Sequence, residues 1–396
     1  MPSADSSAAL NRASLSDLAN FFLRLGTTAF GGPAAHIAIM EDELVRRRRW
    51  VSREKFLDML GASNLIPGPS SSELAIHIGY LLGGWRGLIV AGVCFILPAA
   101  CMVGVLAWVY VHFGKVPAVS AILYGIKPVV IAVILQALWG LGRTAIKTWF
   151  IAVVGLISIA LSAWGLQPLL LLLIAGGAVI LADQIIRSGR KIVLAPLCIL
   201  RSAARWPKSL AAATSAALGA AAPLSLGSLF LVFLKFGAVI FGSGYVLLAF
   251  LRADLVVHRG WLTDTQLVDA IAIGQVTPGP VFTTATFIGY LVYGTRGAVV
   301  ATVGIFLPAF LLVAASGPLL PRIRESKIAG AFLDGVIVAS LALMAVVTWQ
   351  LGRASIVDAL TAILFAVSLL LLLRFRLNSV WLILFGALAG LLVRLW

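Results

Sequence analysis

Apolar stretches at 88–111, 149–163, 168–182, 297–315 and 355–373 constrain this chain more than any other feature, because each has about the length needed to cross ~30 Å of hydrocarbon as a helix. With 61% hydrophobic and only 11% charged residues, a soluble domain of 396 residues could not hide this surface. The stretches lack the alternation of a membrane barrel, so helices are expected. The polar opening residues hold no short apolar core followed by a cleavage site, and no removed signal peptide is expected. A formal net charge of +15 could suggest nucleic acid, but the basic residues cluster in short loops between apolar segments, the pattern of a lipid-embedded protein. Cys94, Cys101 and Cys198 show no metal-ligand spacing, and His36, His77, His112 and His258 are scattered. Neither disulfides, nor a metal, nor a cofactor is expected.

The chain repeats itself. Phe22-Leu23-Arg24-Leu25-Gly26 and Phe30-Gly31-Gly32 align, at an offset of 211, with Phe233-Leu234-Lys235-Phe236-Gly237 and Phe241-Gly242-Ser243. At that offset Trp50 meets Trp261, Asp58 meets Asp269, Asn64 meets Gln275, and Pro67-Gly68-Pro69 meets Pro278-Gly279-Pro280. One deletion changes the offset to 210, and Ile78-Gly79-Tyr80-Leu81, Gly84, Arg86, Gly87 and Pro98 then meet Ile288-Gly289-Tyr290-Leu291, Gly294, Arg296, Gly297 and Pro308.

Each half opens with interrupted segments: a helix of about 15–29 breaks at Gly31-Gly32-Pro33, and one of about 53–65 breaks at Pro67-Gly68-Pro69. Kinked helices are one reading. Helical hairpins that enter the bilayer and turn back are favoured, because broken backbone persists at membrane depth only beside protein or a watery cavity. Plain spans are expected over about 87–112, 118–141, 147–163 and 167–186, then 297–319, 328–351, 355–373 and 378–395. If the hairpins do not cross, the Arg46–Arg49 run, Arg53, Arg143, Lys147 and the 187–208 loop share one side, whereas Arg322, Arg324, Lys327, Arg374 and Arg376 occupy the opposite repeat position. The expected class is therefore an all-α polytopic membrane protein, an inverted-topology tandem repeat with broken, re-entrant helices. Its parts are a polar tail at 1–14, a first repeat at 15–186, a basic loop and linker helix at 187–226, and a second repeat at 227–396.

Such repeats place their binding site where the broken helices meet, and helix N-termini there favour an anion. Gly31, Gly32, Gly242, Gly68 and Gly279 supply the breaks, Ser70, Ser71 and Thr283 follow with hydroxyls, and Asn64 and Gln275 precede them. Helix capping is the alternative role for the hydroxyls. Arg24 and Lys235 share one repeat position inside apolar sequence, where a cation is costly unless functional or snorkelling. Glu73 has no acidic counterpart and would repel a bound anion unless protonated, which suits proton coupling; an ion pair with Arg24 or Lys127 is the competing role. Asp58 and Asp269 precede the breaks and read as gating or helix-pairing residues, while Arg86 and Arg296 read as interface anchors.

Phe30-Gly-Gly-Pro, Trp50, Phe56-Leu57-Asp58, Asn64-Leu-Ile-Pro-Gly-Pro and Ile78-Gly-Tyr, echoed by Phe241-Gly-Ser-Gly, Trp261-Leu262, Gln275-Val-Thr-Pro-Gly-Pro and Gly304-Ile-Phe-Leu-Pro308, resemble the two-domain chromate ion transporter family. The resemblance implies export of chromate across the bacterial cytoplasmic membrane, giving resistance, with protons as the coupling ion. Sulfate, of the same charge and nearly the same shape, is the alternative cargo, a channel the alternative mechanism, and an intramembrane enzyme a remote one. The expected partners are thus the oxyanion, lipid and protons, and a homodimer is compatible with the sequence. Asn64 opposite Gln275, and Gly244 in place of Pro33, make the halves chemically unequal.

Overall fold

The computed structural model describes residues 14–30, 32–63, 65–114, 116–187, 224–241, 244, 246–375, 377 and 379–395. Residues 1–13 of the expected tail (1–14), residues 188–223 of the expected loop and linker (187–226), and Gly31, Asn64 and Gly242 lie outside them. Among the described residues all regular structure is helical. The first half comprises α1 (Leu15–Thr28), α2 (Gly32–Met40) running into a π-helix (Glu41–Arg47), α3 (Arg53–Ser63), α4 (Ser70–Phe113), α5 (Pro117–Ala145), α6 (Trp149–Ala163) and α7 (Pro168–Arg187). The second comprises α8 (Leu226–Val239), α9 (Leu247–Leu251) running into a π-helix (Arg252–His258), α10 (Asp264–Val276), α11 (Thr284–Glu325), α12 (Lys327–Ser355), α13 (Ala359–Phe375) and α14 (Ser379–Leu395), with a 3-10 turn at Val281–Thr283.

Local signals recur at the repeat offset. Ser14 caps α1 in a capping box with Asp17, and Ser225 caps α8 with Ser228. Ser52 accepts from the Lys55 N–H as α3 begins, and Thr263 does the same for Gln266 in α10. Both second helices end in seven-residue π turns, a departure that the sequence reading did not foresee.

Helices α4, α5, α7, α11 and α12 are long and apolar enough to cross a membrane, and Trp85, Trp139, Trp164, Trp349 and Trp381 stand exposed on the outside. The molecule is thus an all-α, multi-pass membrane protein; helices stand close to the expected spans, though α6, α13 and α14 are shorter than the five that are long enough to cross. The expected path differs at α4. Beyond the Pro-Gly-Pro break, α4 turns a second time at Gly83-Gly84, so 70–82 and 85–113 are two arms folded against each other. Gly84 has φ +58, which glycine adopts without strain, and a Cβ on Gly87 would come within 2.1 Å of the Gly79 carbonyl oxygen. Gly294 (φ +63), Gly289 and Gly297 build the same turn in α11, where Thr286 and Thr302 hydroxyls meet across the arms at 2.7 Å. Arg86 and Arg296 sit exposed beside these tips.

The halves interlock. α4 packs on α11 and α5 on α12, while α14 and α13 lie on α5 as α7 and α6 lie on α12. Backbones touch where glycines permit, Gly125 against Gly386 and Gly390 in one place and Gly335 against Ala175 in the equivalent one. Tyr124 donates to Asp358, and at the repeat position of Tyr124, Asp334 accepts at 2.7 Å from Lys147, the neighbour of Thr148, which is the counterpart of Asp358.

Candidate functional site

In a Pro-Gly-Pro segment glycine carries the only backbone donor. Both donors cross between the halves. The Gly68 N–H donates to the Ile240 carbonyl at 2.7 Å, and the Gly279 N–H donates to the Ala29 carbonyl at 3.0 Å. Ala29 and Ile240 are the extended C-caps of α1 and α8, so each acceptor is a carbonyl that the helix end leaves over. Gly68 (φ +143) and Gly279 (φ +91) hold backbone that side-chain-bearing residues rarely adopt. The breaks of the two halves therefore meet at one place.

Buried polar side chains surround that place. Ser70, Ser71, Ser72 and Glu73 begin α4 with little or no exposure. His36, from α2, bonds the Ala29 carbonyl through Nε2 at 3.1 Å and lies 3.4 Å from Ser71 Oγ through Nδ1. With Nε2–H donating, Nδ1 is left to accept from the Ser71 hydroxyl. Glu73 is fully buried, and neither of its oxygens has a partner among the described residues. Its Oε1 lies against Gly68, where an added Cβ would sit 2.3 Å away, so the glycine makes room for the acid. Ser72 Oγ, His77 Nε2 and, in α10, Gln275 Nε2 are also buried without partners. A buried polar group costs free energy unless it is satisfied, and such groups mark sites that exchange ligands or protons. On the second half's side the Thr283 and Thr284 hydroxyls donate to the Pro280 and Val281 carbonyls at 2.7 and 2.8 Å. Both protons are thus spent on the backbone of the first turn, and neither hydroxyl forms the cap that was the alternative role, because the N-cap here is Pro280 with no side-chain cap bond.

The candidate cations lie apart from this centre. Arg24 is exposed and has no ion-pair partner among the described residues. It lines a cavity of about 580 Å³ between α1 and α2, with Asn20, Thr28, Asp42, Glu43 and Arg47. Lys235 is ion-paired with Asp254. Gly32 opens α2 with φ +73.

A further polar cluster joins the halves. Lys127 in α5 lies 3.0 Å from Asp269 Oδ1, and the Tyr110 hydroxyl donates to Asp269 Oδ2 at 2.9 Å. They face a cavity of about 270 Å³ lined also by Ser120, Tyr124 and Ser355. The shared position of Asp58 and Asp269 suggested like roles, and here the structure separates them. Asp269 is 2% exposed, whereas Asp58 is on the surface. Ile337 stands at the repeat position of Lys127, so the second half lacks the cation that would draw Asp58 of the first half inward. The alternative ion pair of Glu73 with Lys127 or Arg24 is not formed.

Sequence reasoning missed several of these residues. Lone histidines gave no signal for His36 or His77, whose surroundings are tertiary. The ion pairs Glu43–Arg48 (2.7 Å) and Asp254–Arg259 (2.9 Å), with guanidinium carbons 4.7 Å from the Trp50 ring and 4.9 Å from the Trp261 ring, recur at the 211-residue offset and were legible there.

A helical membrane protein whose broken segments converge on buried polar groups has the architecture of a solute transporter. The chain belongs to the chromate transporter family: the family described as "Chromate transporter" matches residues 16–181 and 227–391. It is 34% identical over 381 residues to the chromate transport protein of Cupriavidus metallidurans, covering 94% of this chain and 91% of that one. It is 35% identical over 384 residues to the chromate transport protein of Pseudomonas aeruginosa, with 94% and 91% covered. A probable chromate transport protein of Synechococcus elongatus is 32% identical over 365 residues, with 90% and 89% covered. No solved structure matches the chain.

Proposed function

We propose that the protein is a secondary transporter that carries chromate out of the cytoplasm, coupled to the proton gradient, and so gives chromate resistance. The names of the full-length relatives support chromate as the cargo. One observation supports the site: the crossed Gly68 and Gly279 hydrogen bonds gather Ser70, Ser71, Ser72, Glu73 and Gln275 around a junction shared by both halves. The resuming helices turn their positive ends toward this junction, which suits a tetrahedral dianion. Arg24 and Lys235 supply charge along the way, and Asn64, Gly31 and Gly242, next to the breaks in sequence, are assigned to the same site. Opposite loop charges in the two halves support an inverted arrangement, in which the halves alternate in exposing the junction.

Transport into vesicles tests the site. Arg24→Ala and Lys235→Ala are each expected to reduce chromate flux at least tenfold while the protein inserts normally; full flux in both would remove the cations from the pathway. In Glu73 the carboxylate must lose its charge before a dianion settles beside it. Glu73→Gln, which cannot ionise, is expected to flatten the dependence of flux on pH, and an unchanged profile would take the acid out of the coupling.

A further inference from the structure

Each half carries the same local assembly in a different state. In both, the second helix runs into a π turn, an arginine Nε bonds an acid (Arg48 to Glu43, Arg259 to Asp254), and the guanidinium lies over a tryptophan. The Arg48 N–H donates to the Glu43 carbonyl and the Arg259 N–H to the Asp254 carbonyl, both at 2.9 Å. The cation of the preceding helix breaks the likeness. Lys235 pairs with the Asp254 carboxylate, whereas Arg24 makes no pair with Glu43, which Arg47 and Arg48 engage. The space between the helices differs accordingly. The first half holds a cavity of about 580 Å³ lined from α1, α2 and its π turn. The equivalent space in the second half is about 40 Å³, and Gln167, Pro168 and Leu169 at the start of α7 close over it.

We propose that these are the open and latched states of one oxyanion vestibule, with Arg24 receiving the anion in the first half while the Lys235–Asp254 pair holds the second half shut. This deepens the transporter reading and rests on it. The pairing is exclusive, because a cation neutralised by a neighbouring carboxylate has little charge left to attract a dianion, and a carboxylate beside the empty place repels one. Asn20 adds an amide donor beside Arg24, whereas Leu231 stands at the equivalent position near Lys235; the Thr28 hydroxyl is spent on the Arg24 carbonyl at 2.7 Å. Exchange between the states requires Lys235 to leave Asp254 while α1 closes on α2. An anion bound at only one of the two vestibules biases that equilibrium.

The test uses the full chain with Cys94, Cys101 and Cys198 replaced by serine and one reporter at a time, Thr28→Cys or Val239→Cys. These are repeat-equivalent positions that line the two spaces. A hydrophilic maleimide is expected to react at least tenfold faster at 28 than at 239. Asp254→Asn, which removes the latch acid, is expected to raise labelling at 239 and lower it at 28 together. Lys235→Gln, which leaves the Asp254–Arg259 pair intact, is expected to do the same and guards against misfolding of the first variant. Faster labelling at 239 with none lost at 28 in both variants would overturn the proposal, since it would mean a local loosening without exchange. Chromate is expected to protect the thiol at 28 reversibly, with labelling restored once it is washed out, because oxidation of the thiol by chromate would persist; reversible protection by sulfate alone would keep the latch but change the cargo. If neither oxyanion protects it while the reciprocal shift remains, the vestibule is not an oxyanion site and this part fails; absent flux with intact protection would count against the transporter reading alone.

Discussion

Alanine in place of Gly279 is expected to abolish chromate flux and to lower the stability of the protein in detergent by about 2–5 kcal/mol, the combined scale of backbone strain and overpacking. At φ +91 the backbone is strained for any side chain, and the new Cβ would lie 2.6 Å from the Ala99 Cβ and 3.2 Å from the Gly26 carbonyl oxygen. Neither neighbour can swing aside, because both belong to packed helices. The shift this forces breaks the Gly279–Ala29 hydrogen bond. Gly68→Ala should be milder. Its Cβ meets chiefly the end of the flexible Glu73 side chain, leaving strain at φ +143 as the main cost. Thermal unfolding and vesicle flux, read together, check the order. Equal and wild-type behaviour in both variants would mean that the two breaks do not meet as described.

The second large effect concerns the ion pair between the halves. Breaking a buried pair strands one charge, at a typical cost of about 3–5 kcal/mol. Lys127→Met would leave Asp269, 2% exposed, with Tyr110 as its hydrogen-bond donor, and is expected to be the more damaging single change. Asp269→Asn should cost less, since it keeps an acceptor for Tyr110 and the adjoining cavity can hydrate Lys127. The double variant Lys127→Met/Asp269→Asn should recover most of the stability, with no charge stranded. If flux returns with stability, the pair is structural; if flux stays lost, the pair gates. A double variant no more stable than Lys127→Met alone would contradict the pairing itself.

Much of the architecture could be read in the residues because the sequence states it twice. Ser14 and Ser225, Ser52 and Thr263, and the glycines of both breaks sit at equal spacing, and local chemistry at each suffices to start or stop a helix. The hairpin at Gly83-Gly84 was hidden for a physical reason. Gly79 and Gly87 look like tolerated glycines in an apolar helix until the fold shows them backbone to backbone. Pairings set by tertiary contact were beyond reach as well. Nothing local distinguishes Asp58 from Asp269; the difference is made by Lys127, far along the chain, and by Ile337 in its place. Glu73 was singled out because it breaks the repeat, and the structure adds that it is enclosed beside Gly68 with no partner for either oxygen among the described residues.

Counterflow in reconstituted vesicles tests the central claim most directly. Vesicles loaded with unlabelled chromate and placed in a trace of labelled chromate should show a transient rise of internal label above the external level, because a carrier with one alternately exposed site exchanges bound anions. Addition of sulfate or molybdate from outside should lower the peak only as far as each competes for the same site. A label that merely approaches the external level, with no overshoot at any loading, would contradict a carrier and identify a channel.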